Sequence, residues 1–453
     1  MGVKMLRITM SRYVFGLILV ILIIIIGFAI YELKYFSSPL LFGIDGPYYY
    51  IQVANLLNTG YLKYPDPPLA FYGLAGFSII TRDIVIGIKI GSVLLSLLGA
   101  LALYFLIKEI GDLISGIVSA VIYIFSSALI RMAFDLIKNA IGITPLMASL
   151  LFTYLALKRR KIHYSIIASV LIIITGLIHV LDFGVLVLFI TLMTIIVIIE
   201  HRNDLKFILP QAIVTALLIV IGLLVIPGIV GGDLSKGISF INELLTNKGI
   251  TNVLEGHQGI FITIYPLLVG IAGLILSMRF SGYRKYFIFT IALIIIGLSI
   301  PIIPGSFLWR FNLMALILTS PILSLFISVQ REFKMKIALA ILILGIVIPQ
   351  FIGQAIVLKP SISEAEYREL EALIQISPSN AYFVVPNIRV KYWVETLTPK
   401  VVRRPSAGIR KYPLIFVVEI HSPEANKLKS LIPPFAKLLF KGEFIEAYIV
   451  HPR

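Results

Sequence analysis

Charged side chains are scarce in this sequence, at 14% of its residues, so those that border its apolar segments are the first to consider for chemistry. Asp45 follows the first long apolar segment, in Phe42-Gly-Ile-Asp-Gly-Pro-Tyr-Tyr-Tyr50. An ionisable group beside the hydrocarbon of a membrane is costly unless it faces water, a partner or a substrate. We therefore interpret Asp45 as a catalytic base or a metal ligand. The structural alternative is that its carboxylate caps the helix that carries Tyr48.

Other polar residues border the later apolar segments, and we expect them at the same face of the membrane as Asp45. Carboxylates can move protons, and cations can bind a phosphate. Together, these residue types predict a site for an anionic substrate. They are Asp66 in the same loop, Lys89 in the second segment, Arg131, Asp135, Lys138 and Asn139 after the third, His179 and Asp182 after the fifth, and Arg310 before the tenth.

Each of the cations also has a structural interpretation. Arg131 and Lys138 are either a phosphate clamp or interfacial charges that pair with Asp135. Lys89 lies about 1.5 turns inside the second segment, so it either snorkels to the headgroups or binds phosphate. Arg310, which follows an aromatic residue at a segment end, is either a membrane anchor or an anion ligand.

Contacts to an acceptor or a sugar ring are predicted for aromatic and polar side chains near the same face. Tyr48 and Tyr49 are either a platform for a sugar ring or part of the aromatic belt at the interface. Asp135 and Asn139 are further candidates, and His257 in Glu255-Gly-His257 is a weaker one.

A divalent metal, Mg²⁺ or Mn²⁺, is an open alternative, and no cofactor is certain. The sequence has no cysteine, so a metal would need oxygen or imidazole ligands. His179 and Asp182 are spaced for neighbouring contacts at a helix end, and Asp45 could join them. Two such residues alone are a weak metal signal.

The composition indicates a polytopic α-helical membrane protein. Hydrophobic residues make up 59% of the 453 positions, and the mean hydropathy is +1.00, which a soluble globular chain does not reach. The net charge of +16 does not predict nucleic acid binding, because no basic patch is interleaved with aromatic residues. In a membrane protein the position of the positive charges matters more than their sum.

About eleven apolar runs are long enough to cross a bilayer, at roughly 17 to 25 residues for each span. The shorter runs are alternatively half-spans or helices broken by proline. The predicted spans lie near 13–33, 84–107, 113–130, 138–157, 165–180, 183–199, 208–226, 259–277, 286–300, 311–329 and 336–357.

The distribution of Lys and Arg predicts a cytoplasmic N-terminus. These residues concentrate in alternate loops, such as 158–161 and 279–285, whereas the long loops at 34–83 and 227–258 contain few. This assignment requires the apolar stretch 69–80 to lie along the outer interface as a short helix that begins after Pro67-Pro68. We predict a multi-pass protein of the cell membrane, in which residues 34–83 are the first outer loop of a membrane domain over 1–357.

Residues 358–453 predict a small extracytoplasmic α/β domain. Charged residues return from Pro360 onward, and apolar positions alternate with polar ones. Ser363 followed by Glu366 is typical of a capping box that starts a helix over 361–376. Further predicted elements are strands over 381–386, 414–420 and 444–450 and a helix over 424–440 that Pro433-Pro434 interrupts.

These features resemble the membrane glycosyltransferases of the GT-C fold, archaeal members included, that use polyprenyl-phosphate-linked sugars. The likeness covers about the first 200 residues, together with the alternation of spans and the outer C-terminal domain. The motifs that carry it are Gly43-Ile-Asp45-Gly-Pro-Tyr-Tyr, Tyr64-Pro-Asp-Pro-Pro68, Thr81-Arg-Asp83 through Lys89, Leu106-Ile-Lys-Glu-Ile-Gly111 and Asp135-Leu-Ile-Lys-Asn-Ala-Ile-Gly142.

The resemblance implies that an acidic residue of the first outer loop acts in sugar transfer, which corresponds to Asp45 and, less directly, to Asp66. An acidic pair is often adjacent in such loops, but Gly46 follows Asp45 here, and the Trp-Trp-Asp signature of oligosaccharyltransferases is missing. The closer parallel is therefore a transferase of a single hexose or pentose, like the protein mannosyltransferases or the aminoarabinose transferase of lipid A. The acceptor would be a lipid, a glycan or a protein.

Sugar transfer also fits the residue types themselves. Asp45 would take the proton of the acceptor hydroxyl, and Lys89, Arg131, Lys138 or Arg310 would neutralise the departing lipid phosphate. Direct displacement predicts inversion at the anomeric carbon, whereas retention would need Asp66 as a nucleophile. Two other classes stay open, a non-catalytic assembly factor and a lipid-linked glycan flippase. The almost uniformly apolar span centres argue against the flippase.

Overall fold

The computed structural model describes residues 2–224, 239–246, 260–303, 305–409, 411–422, 425–430 and 432–452. Nearly all of the described chain before residue 358 is helical. Its helices are α1 (Gly2–Tyr35), α2 (Gly46–Thr59), α3 (Leu69–Thr81), α4 (Ile84–Leu97), α5 (Gly99–Ile110), α6 (Leu113–Ile124), α7 (Ser127–Asp135), α8 (Ile137–Arg159), α9 (Ile162–Ile178), α10 (Val180–Glu200), α11 (Leu209–Leu224), α12 (239–246), α13 (Ile260–Ser277), α14 (Tyr283–Ser299), α15 (Gly305–Ser328) and α16 (Phe333–Val357).

The apolar helices make this chain a multi-pass membrane protein. The described part of each predicted span overlaps a helix or a helix pair, but the predicted number of about eleven full spans is too high. Within the described residues, six helical segments are long and apolar enough to cross a bilayer, and the pair α6 and α7, bent by 45°, makes a seventh. The bend follows from Ser126, whose side chain accepts a hydrogen bond from the backbone N–H of Ala128 and so begins a new helix inside one apolar run.

Four further apolar helical stretches, counted over 10 to 17 residues with described side chains, lie at or below the short end of the range for a full span. One of them is α3, which has 13 residues and lies where the sequence predicted a short interfacial helix. The others are α9, α11 and the part of α13 over Ile264–Ser277.

The chain divides into two compact units. The membrane unit contains Met1–Lys34, Tyr64–Gly73 and Ile90–Val357. The sheet unit contains Leu358–Arg453 together with Tyr35–Lys63 and Leu74–Lys89. Most of the first outer loop thus packs with the C-terminal residues, although the sequence placed that loop in the membrane domain.

The C-terminal part of the sheet unit holds a five-stranded sheet with the order β2-β1-β3-β5-β4. Strand β1 pairs in parallel with β2 and β3, whereas β5 pairs in antiparallel with β3 and β4. The elements are α17 (Glu364–Ile376), β1 (Tyr382–Val384), α18 (Ile388–Leu397), β2 (Val401–Val402), β3 (Leu414–Glu419), α19 (Ala425–Ser430), β4 (Lys437–Lys441) and β5 (Ile445–Val450).

Most of the predicted elements of this part are confirmed. Ser363 and Glu366 form the predicted capping box of α17, and β1, β3 and β5 lie within the predicted strands. The predicted helix over 424–440 is wrong in its second half, where β4 pairs with β5. Proline lacks an N–H group and clashes with the preceding turn, so Pro433-Pro434 ends the helix and does not merely interrupt it.

A close approach between α3 and α4 within the sheet unit gives a testable prediction. A Cβ atom at Gly87 would overlap the backbone N and Cα of Ser78, which cannot move aside as a side chain could. We expect Gly87→Ala to destabilise the protein by about 1–3 kcal/mol through overpacking, measured by thermal unfolding in detergent with circular dichroism.

Gly76→Ala is the matched control for this substitution. A Cβ atom at Gly76 meets no atom within 4 Å, and alanine has the higher helix propensity by up to about 1 kcal/mol. Equal unfolding temperatures for the two variants would contradict the close packing of the two helices.

Candidate functional site

Asp45 is the residue that immediately precedes α2, and its partly exposed carboxylate makes no capping hydrogen bond to that helix. The helix-capping interpretation of Asp45 is therefore not supported. Its backbone is fixed by the residues on either side. Gly43 has φ of 72°, which favours glycine, and its N–H donates to the carbonyl of Lys359 at 3.1 Å. A Cβ atom at Gly46 would collide with Leu41.

Helix α2, which follows Asp45, packs against α18 of the same unit. The rings of Tyr48 and Tyr392 lie 5.5 Å apart, and Lys63, four residues after the end of α2, forms an ion pair of 2.6 Å with the buried Glu395. Tyr48 is partly exposed, and its hydroxyl accepts a hydrogen bond of 3.0 Å from Gln52. Tyr49 is buried. Of the two predicted platform residues, Tyr48 is therefore the accessible one.

Helix α18 is itself anchored by a cluster of charges that sequence reasoning missed. The guanidinium of Arg389 contacts Glu366 at 3.3 Å and Glu419 at 2.8 Å. Burial raises the pKa of the Glu366 carboxyl, although Arg389 opposes the shift. The indole N–H of Trp393 donates to the hydroxyl of Ser361 at 2.8 Å. Only the capping box of Ser363 and Glu366 hinted at this cluster, because the partners are far apart in sequence.

Lys89 is almost completely buried, with 1% of its surface exposed. Its ammonium group donates to the carbonyls of Tyr35 at 3.0 Å and of Ser38 at 2.6 Å, which fixes the chain at the end of α1. It also lies 5.1 Å from the ring centre of Phe36. These contacts describe a structural role, and the phosphate-binding role of Lys89 stays a prediction.

Lys138 and Asp66 form an ion pair within the membrane unit. The ammonium group donates to both carboxylate oxygens of Asp66, and both side chains are largely buried, with 14% and 10% exposed. Lys138 also lies 5.8 Å from the ring centre of Phe71. The predicted catalytic carboxylate Asp66 and the predicted phosphate ligand Lys138 therefore contact each other directly.

Arg131 and Asp135 form a second pair, at 3.0 Å. This contact bears out the interfacial pairing that the sequence offered as one interpretation of Arg131. Asp135 and Asn139 are both buried, at 7% exposure each. Their predicted contacts to an acceptor or a sugar stay predictions.

Arg310 is exposed, and its guanidinium lies 5.1 Å from the ring centre of Trp309. It forms no ion pair with the described residues. In this respect it differs from Arg131 and Lys138, whose charges are paired with carboxylates. Arg310 therefore keeps its donors available for an anion.

His179 and Asp182 lie together where α9 ends and α10 begins, with Nδ1 and a carboxylate oxygen 3.3 Å apart. Asp182 is fully buried, and a Cβ atom at Gly142 would overlap its carboxylate. No group of three or more His, Asp or Glu residues able to hold a metal is found in the part of the chain that the structure describes. Mg²⁺ often keeps waters and substrate phosphates with only one or two carboxylates, so the metal role stays a prediction. His257 lies outside the described residues.

Comparison with known proteins places the fold. Residues 65–226 match the family model described as dolichyl-phosphate-mannose-protein mannosyltransferase, which is less than half of the chain. The apo structure of the Archaeoglobus fulgidus oligosaccharyltransferase superposes with a TM-score of 0.64 at 13% identity, over 85% of this chain and 64% of that one. The structure of ArnT from Cupriavidus metallidurans bound to undecaprenyl phosphate gives a TM-score of 0.55 at 12% identity, over 95% of this chain and 97% of that one.

The chain has the GT-C fold. The fold predicted from the first 200 residues and the C-terminal domain is thus confirmed. This GT-C chain spans about two thirds of the length of the archaeal oligosaccharyltransferase and nearly all of the length of ArnT. No curated protein sequence matches it significantly.

Proposed function

We propose that this protein is a membrane glycosyltransferase that moves a hexose or a pentose from a polyprenyl-phosphate donor to an acceptor on the outer face of the membrane. The observation that carries the proposal is Asp45, a partly exposed carboxylate that is held by its backbone and not used to cap α2. The GT-C fold, the mannosyltransferase match over residues 65–226 and the lipid phosphate bound to ArnT support it. The cytoplasmic N-terminus is part of the same proposal.

In the proposed reaction Asp45 is the general base. Its carboxylate takes the proton of the acceptor hydroxyl while that oxygen forms a bond to the anomeric carbon. The bond from the anomeric carbon to the phosphate oxygen breaks, and the electron pair leaves on the lipid phosphate. Attack opposite the leaving group inverts the configuration of the sugar.

The lipid phosphate that leaves gains negative charge, so a cation that stabilises it lowers the barrier. We propose Arg310 for this role, because its guanidinium is exposed and unpaired among the described residues. Arginine can bind a phosphate through two parallel N–H groups. Arg131 and Lys138 would first have to leave Asp135 and Asp66, so they are the weaker candidates.

The test is a transfer assay with purified full-length protein in lipid nanodiscs. The donors are polyprenyl-phosphate mannose, glucose and aminoarabinose, each with a radiolabelled sugar, and the acceptors are a membrane lipid extract and a peptide mixture. We expect transfer from a polyprenyl-phosphate donor and none from the corresponding nucleotide sugar. Nuclear magnetic resonance of the product is expected to show the inverted anomer. Retention of configuration, or transfer from the nucleotide sugar alone, would contradict the proposal.

A further inference from the structure

Three buried residues of β3 form part of one face of the C-terminal sheet. Leu414, Phe416 and Val418 alternate along β3. Leu414 and Phe416 pack with Val384, and Val418 packs with Ala425 and Leu428 of the short helix α19. Within the described residues, an open cleft of about 920 Å³ lies on this part of the unit, a volume typical of small-molecule sites. Its other apolar lining residues include Val384, Ile432, Pro433, Phe435 and Val450.

The charged groups among the described residues that line this cleft are all basic. Arg403, Arg404 and His451 line it, and the described lining residues include no aspartate or glutamate. Both arginines are exposed, and neither forms an ion pair with any described residue. The cleft therefore combines apolar walls with two guanidinium groups whose N–H donors suit a phosphate.

We propose that this cleft binds an anionic lipid, with its phosphate headgroup on Arg403 and Arg404 and the first part of its apolar chain against Phe416 and Phe435. The hydrocarbon chain of a lipid has no polar groups, so it needs no hydrogen-bond partners and can pack against apolar walls. The negative charge of the phosphate would neutralise the positive charges of the two arginines. The proposal concerns a binding site and does not depend on the transfer reaction.

An acidic peptide fits the same cleft less well. A bound peptide would bring backbone N–H and C=O groups that need partners, and peptides commonly obtain them at an exposed strand edge. Strand β3, in the cleft wall, is paired on both sides, with β1 and with β5. The cleft therefore offers no edge of β3 to a peptide backbone.

The experiment uses purified full-length protein in detergent and isothermal titration calorimetry. The probe is a short-chain phosphatidic acid, compared with a phosphatidylcholine of the same chain length and with inorganic phosphate. We expect the phosphatidic acid to bind most tightly, and the double variant Arg403→Ala/Arg404→Ala to weaken its binding about tenfold or more. Phe435 is half exposed, so we expect Phe435→Ala to weaken binding a few-fold and to leave the fold intact.

The matched control removes the same number of charges outside the cleft. Arg368 and Lys437 are exposed and do not line the cleft, so Arg368→Ala/Lys437→Ala is expected to change the dissociation constant less than about twofold. Circular dichroism verifies that each variant is folded. Equal weakening by both double variants, equal binding of phosphatidylcholine, equal binding of inorganic phosphate, or tighter binding of an acidic peptide would each overturn the proposal.

Discussion

Asp45→Asn is expected to lower the rate of sugar transfer by about 10²–10⁴-fold, the usual range for loss of a general base. Asparagine has nearly the same shape, but its amide cannot take a proton from the acceptor hydroxyl. Because asparagine keeps the size of the side chain and an acceptor oxygen, the fold is expected to survive the change. Donor binding, measured with a labelled polyprenyl-phosphate sugar, is expected to stay within about twofold of the wild type, because the base acts in the transition state.

Asp83→Asn is the matched control for this substitution. Asp83 lies in the same outer loop, and its carboxylate accepts a hydrogen bond of 2.8 Å from the N–H of Ile86 at the start of α4. Asparagine keeps an acceptor oxygen at that position, so transfer is expected to be unchanged. If Asp45→Asn kept the full rate of sugar transfer, Asp45 would not be the general base, and the proposed mechanism would be wrong. If the wild-type protein itself transferred no sugar from any of the donors, an assembly factor or a lipid-linked glycan flippase would be the better interpretation.

Asp66→Asn and Lys138→Met are each expected to destabilise the protein by about 2 kcal/mol. Each change leaves one charge largely buried without its partner, and the cost of a fully buried lone charge is about 3–5 kcal/mol. The two side chains are 10% and 14% exposed, so we discount that range for solvent screening. The double variant removes both charges and is expected to be more stable than the sum of the single changes predicts.

Thermal unfolding in detergent measures the stability of the wild type, the two single variants and the double variant. Transfer assays of the same proteins separate a structural role of Asp66 from a catalytic one. If Asp66 serves the fold, transfer by the double variant is expected to recover with its stability. If Asp66 is the nucleophile of a retaining reaction, Asp66→Asn and the double variant stay inactive although they are folded, whereas Lys138→Met keeps part of the transfer activity. Strictly additive losses of stability would contradict the ion pair between Asp66 and Lys138.

The positions of most membrane helices were predictable because hydropathy alone identifies them in the sequence. Runs of isoleucine, leucine and valine must form helices in a bilayer, where every backbone polar group needs an internal partner. The break between α6 and α7 was not predicted, because Ser126 acts through one local hydrogen bond inside an apolar run. Strand β4 was not predicted because its neighbour in the sheet, β5, decides its conformation.

The candidate site was predictable in its residue types and less so in its contacts. Asp45 was identified from the cost of an acidic group beside an apolar segment, which is a property of the sequence. The pairing of Asp66 with Lys138 joins positions 72 residues apart, and no local pattern indicates it. The same holds for Lys89, whose carbonyl partners at Tyr35 and Ser38 carry no side-chain signature.

The hydrogen bond from Gly43 to the carbonyl of Lys359 also bears on the biosynthesis of the protein. The two residues are separated by more than 300 positions. The ion pair between Lys63 and Glu395 joins two similarly distant parts of the chain. A ribosome therefore completes every transmembrane helix before the turn that carries Asp45 can be secured. Nascent chains that are released before residue 359 would contain the membrane helices and yet lack the hydrogen bond that holds this turn. If Asp45 is the general base, as we propose, such chains are expected to be inactive.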